Sequence, residues 1–147
     1  TLTSNQFVVL QGGTSTMQCR VSEVYIGGEA ASTSSPSFMV FARNGTLGAG
    51  ALSGANTTNA LTDAVATAPG TAAAFGTTYA TTQPTRGNVL LRLSYNAYGG
   101  IVRWVSSPDQ AITIYGNATA NGSDVALSAF TGTTSVNASG HILYEVV

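Results

Sequence analysis

Eight short stretches of this chain alternate apolar with polar residues, and no long segment carries the stripe of a buried helix. Alternation with period two places every second side chain on one face of a pleated strand, so the stretches read as half-buried β-strands. They cover residues 7–10, 17–26, 38–43, 89–95, 101–105, 112–115, 125–130 and 141–147. Between them stand the residues that turns require. Gly12-Gly13 follows the first strand, Gly27-Gly28 ends the second, residues 96–100 fit a short hairpin loop, and Asn121-Gly122 suits a turn with positive φ.

The faces can be assigned locally. Met17, Cys19 and Val21 share one side of the second strand until apolar Val24 and Ile26 appear on the other, which calls for a β-bulge or a strand end buried on both sides. Val89, Leu91, Leu93 and Tyr95 line one face of a strand expected to be central in its sheet. Short strands spaced about ten residues apart, with such turns between them, predict one all-β domain over residues 1–147. Its architecture would be a sandwich, a jelly roll or a small barrel of about eight strands.

Residues 44–87 break the pattern. They are rich in Ala, Thr, Gly and Asn, with Leu47, Leu52, Leu61, Val65, Phe75 and Tyr79 as the larger apolar side chains. The composition predicts a long insertion, with one short helix over residues 59–67 ahead of Pro69. Ala, Thr and Gly bury little apolar area, whereas each ordered residue loses about 1–2 kcal/mol of backbone entropy. The segment is therefore expected to lean on a neighbour. Phe7, Val8, Leu10, Leu47, Leu52, Leu61, Phe75 and Tyr79 are the expected contact residues, and a fold-back onto the same domain is the competing outcome.

Charge narrows the function further. Only 7% of residues are charged, against about 25% in an ordinary soluble domain, and all five positive residues are Arg. Arg20, Arg43, Arg86, Arg92 and Arg103 are scattered singly, so no basic patch exists to neutralise phosphates and no direct nucleic-acid contact is expected. A near-neutral chain also lacks the like-charge repulsion that keeps monomers apart. No stretch has the eighteen consecutive apolar residues of a membrane helix, and residues 1–10 lack the order of a signal peptide, so no membrane partner is expected. Cys19 stands alone, which rules out an internal disulfide and suits a small buried side chain.

Groups that do chemistry are scarce. His141 is the single histidine, no G-x-S-x-G elbow is present, and the six carboxylates show no spacing that pairs two on one element. Zinc would need more Cys or His, and the glycine pairs lack the Lys or helix of a phosphate loop. The expectation is a non-enzymatic protein without metal or cofactor. Trp104 with Tyr98 and Tyr115 offers an alternative, a stacking platform for sugars in an adhesive module. Five sequons, at Asn44, Asn56, Asn117, Asn121 and Asn137, would fit a secreted form of it, although about two are expected from composition alone. The terminal strand, apolar on both faces through Ile142, Tyr144 and Val146 against Leu143 and Val147, allows a third reading, a coat or fibre subunit joined by strand addition.

Residues 20–28 (RVSEVYIGG), 38–43 (FMVFAR), 98–104 (YGGIVRW) and 141–147 (HILYEVV) give the chain a resemblance to the decoration or cement proteins of tailed-phage virions. The likeness extends to length, Ala/Thr/Gly/Ser bias and β-rich layout. It implies a compact barrel or jelly roll that sits as a dimer or trimer on a capsid exterior. Its partners would be copies of itself and a shell protein, and its role would be to hold the shell together.

Overall fold

The computed structural model describes residues 6–12, 18–29, 36–46, 52–53, 73–76, 78–79, 81–82, 84–115, 124–129 and 138–147. Eleven strands lie among them: β1 (Gln6–Gly12), β2 (Gln18–Glu29), β3 (Pro36–Thr46), β4 (Leu52–Ser53), β5 (Ala73–Gly76), β6 (Thr78–Tyr79), β7 (Thr85–Asn96), β8 (Tyr98–Val105), β9 (Ile112–Tyr115), β10 (Asp124–Ala129) and β11 (Ala138–Val146). A single 3-10 turn, Pro108–Gln110, is the one helical element described. All eight expected strands are present, so the all-β class holds.

Every strand pairing among the described residues is antiparallel. One sheet runs β5-β1-β10-β3-β7, a second runs β11-β2-β8 with β9 also on β2, and β4 pairs β6 in a small ladder. Five of the pairings are nested along the chain: β1 with β10, β2 with β9 and with β8, β3 with β7, and β4 with β6. The β10–β3 pairing joins the outermost of these pairs to an inner one within the five-stranded sheet.

Both sheets feed one core. Leu10, Met39, Phe41, Leu93, Tyr95, Val125 and Leu127 enter it from the five-stranded sheet, and Cys19, Val21, Val24, Ile26 and Ile114 from the other. Cys19 has no exposed surface, as its alternating position required. The switch of faces in β2 is a bulge: Glu23 pairs Leu143 and Val21 pairs Tyr144, with Ser22 left between. At that point the opposite edge of β2 passes from β8 to β9, and Ser106 N–H donates to Ser22 O at 2.9 Å across the gap.

Three expectations need correction. β7 pairs only with β3 among the described strands, so it is an edge strand and not a central one. Phe41 pairs Leu91 while Ala42 pairs Val89, a slip that lets both Leu90 and Leu91 pack on the core. Residues 96–100 do not form a hairpin, since β7 and β8 belong to different sheets and the chain changes layer at Ala97. Tyr98 N–H donates to Asn96 Oδ1 at 2.8 Å there, and Gly99 takes φ +70°. Finally, β2 does not stop at Gly27-Gly28 but runs through both glycines to Glu29.

The insertion also folds in part onto its own chain. Residues 44–46 extend β3, residues 85–87 begin β7, and β5 pairs β1 with Phe75 opposite Leu10. The expected helix at 59–67 and the Asn121-Gly122 turn lie outside the described residues.

Candidate functional site

The two sheets differ on their outward faces. In the five-stranded sheet Val9, Val40, Ala42 and Ser128 are buried although they stand outside the core cluster, so the middle of this sheet has no solvent-facing side. The four-stranded sheet keeps its outer face open. Among the described residues the large exposed apolar side chains are Tyr98, Ile101 and Val105 on β8, Leu143 and Val147 at β11, and Phe38 elsewhere. Ile101 is 66% exposed, in a strand whose Val102 and Trp104 pack inwards.

The register places the outer residues in rows across β8, β2 and β11. Val105, Glu23 and Leu143 form one row; Arg103, Tyr25 and His141 the next; Ile101, Gly27 and Ser139 the third. Diagonal neighbours on a sheet face lie within reach of long side chains, and Glu23 uses both of its diagonals. Arg103 Nη2 donates to Glu23 Oε2 at 2.6 Å, and His141 Nε2 lies 2.8 Å from Glu23 Oε1. The His141 ring also stacks on Tyr25, centroids 5.1 Å apart and planes 8° from parallel. Glu23 is only 7% exposed although it stands on the outward face.

The electrostatics follow from these contacts. The Arg103 hydrogen bond first, and the His141 bond second, hold the Glu23 carboxyl down from 4.5 to about 2. A carboxylate without a proton can only accept, so His141 must donate from Nε2. With both oxygens engaged and a pKa so far below neutrality, Glu23 is poorly suited to take a proton from a substrate. The cluster instead ties β2, β8 and β11 together, with charges compensated in place.

Its pH dependence has a defined sign. A carboxyl whose folded pKa is depressed adds stability that is complete above the unfolded value and is lost as pH falls through the folded one. The stabilisation from Glu23 is therefore expected to be full above pH 4.5 and to fade towards about pH 2. Urea unfolding of the wild type and of Glu23→Gln checks this. The gap between their midpoints should narrow on acidification through that window, and a constant gap would show that the carboxylate charge does not matter.

The residues expected from sequence fall elsewhere. Leu10 has no exposed surface and sits in the core of its own chain. Phe7 and Val8 lie in β1, Leu52 in β4, Phe75 in β5 and Tyr79 in β6, with Leu52 opposite Tyr79; Leu47 and Leu61 lie outside the described residues. Of the sugar-platform residues, Trp104 packs against the core, Tyr98 is exposed where β8 begins, and Tyr115 pairs Gln18 in β9. Asn44 is buried in β3, which leaves no exit for a glycan at that sequon; the other four sequons are outside the described residues. Among the described residues no group of His, Cys, Asp and Glu could hold a metal ion.

Comparison with protein-family models, with curated proteins and with solved structures finds no match.

Proposed function

We propose that this chain is a non-enzymatic assembly protein, a decoration or cement subunit on the exterior of a virion shell. The observation that carries the reading is the open face of the four-stranded sheet. Large apolar side chains collect there around a charge cluster that is already neutralised. Large exposed apolar side chains gathered on one face of a small domain mark a contact site, and a chain with so few charges does little to repel a partner.

The nested pairings support a finer reading of the fold as a jelly roll, with β11 added beside β2. Jelly rolls serve in capsids and in sugar-binding domains alike, so the site must decide between them. The inward packing of Trp104 removes the main anchor of a sugar platform and favours assembly. The test is mass measurement by light scattering over a wide concentration range, together with co-sedimentation on capsid shells. Growth in mass or saturable shell binding is the expected result. A monomer that binds no shell would overturn the reading.

A further inference from the structure

We infer that the outer face of β8-β2-β11 is the surface through which two copies of this chain pack, sheet against sheet about a two-fold axis running along β2. The inference rests on the assembly reading and names its surface and its occupant. Charge identifies the occupant as a second copy. The charges in the middle of the face are compensated, Arg103 with Glu23 at 2.6 Å and Arg20 with Glu145 at 3.9 Å, and exposed Glu29 stands at the end of β2. A strongly charged partner would find no excess charge to recognise in the middle of the face, whereas a copy brings none there that needs compensation.

The rows are also compatible with themselves. A two-fold along β2 exchanges the sides of the sheet, so β8 of one copy lies over β11 of the other. Val105 and Leu143 both stand opposite Glu23 in register, and the operation therefore sets each Val105 over the Leu143 of its mate. The next row lays Tyr25 over Tyr25, and Arg103 over His141, whose ring is already engaged with Glu23 and Tyr25. Apolar groups thus meet apolar groups twice in one isologous contact.

Size sets the expected strength. Three strands about 4.8 Å apart and some eight residues long at about 3.3 Å each give a footprint of roughly 14 by 26 Å. That falls short of the roughly 800 Å² per partner in a standard stable complex. A weak pair is expected, one that becomes firm when several contacts are made at once in a larger assembly.

The sole cysteine is fully buried, which makes thiol cross-linking selective. Val105→Cys and Leu143→Cys, each carrying a different tag, are mixed at high concentration with a short bismaleimide. The expected product is the mixed dimer, at several times the yield of either homodimer, and it should disappear when Ile101→Glu is added to both chains. Homodimers formed as readily as the mixed species would overturn the two-fold along β2. Wild-type self-association that survives Ile101→Glu unchanged would overturn this face and leave the assembly reading standing. A wild type that stays monomeric at high concentration overturns the self-contact, and the assembly reading is then decided separately by shell binding. Circular dichroism of each variant establishes that a lost product is not lost folding.

Discussion

Phe41→Ala is expected to lower the unfolding free energy by about 3–5 kcal/mol, the usual cost of truncating a fully buried Phe. Phe41 has no exposed surface and is the largest side chain so enclosed among the described residues. Leu127 on β10 and Leu91 on β7 flank it in register, so its ring fills the middle of a row across three strands. The surrounding sheets are fixed by their ladders and cannot close around the missing ring. Phe38→Ala in the same strand is the control, because Phe38 is 56% exposed and its loss should cost about 1 kcal/mol or less. Urea titration of both variants reads the difference. Equal losses would mean that the core is not organised around Phe41.

Gly28→Ala should be nearly as damaging, by about 2–3 kcal/mol, through overpacking. A Cβ at this position would fall against the Ala97 carbonyl oxygen and 2.5 Å from that of Asn96. Both obstacles are backbone, at the corner where the chain leaves one sheet for the other, so no rotamer change relieves them. Gly99→Ala tests the same corner differently. It has open space around it but φ +70°, and should lose about 1 kcal/mol through strain alone. Thermal melts of the two variants should rank in that order, and a harmless Gly28→Ala would show that β2 and the corner are not in close contact.

Strand positions were legible because alternation is a local signal. Residues 112–115 coincide with β9, and the bounds of the other expected strands differ from the observed ones by one to a few residues. The bulge in β2 was legible for the same reason, as a change of phase within ten residues. Which strand lies beside which was not. β7 looked central because Val89, Leu91, Leu93 and Tyr95 line one face, yet it stands at a sheet edge, where a register slip against β3 lets both Leu90 and Leu91 pack on the core. The Glu23 cluster was hidden more deeply. Arg103 is 80 positions from Glu23 and His141 is 118 away, and each is an ordinary polar residue in an alternating strand. No local signal marked them, since Arg103 shares its phase with Ile101 and Val105 and His141 shares its phase with Leu143 and Val147, and only the pairing of the strands brings the three together.

The long central strand of the four-stranded sheet has a kinetic consequence. β2 lies near the beginning of the chain, but its partners β8, β9 and β11 all come from beyond residue 97, and Gln18 exchanges two 2.8 Å backbone hydrogen bonds with Val147. During synthesis β2 must therefore wait, with its polar edges unpaired, until almost all of the later sequence has left the ribosome. Such distant pairings make folding slow and leave sticky edges open in the interval. Refolding is accordingly expected on a scale of milliseconds to seconds rather than microseconds. Nascent chains halted before β11 should be held by chaperones, because the strand they lack is the one that closes the edge of β2.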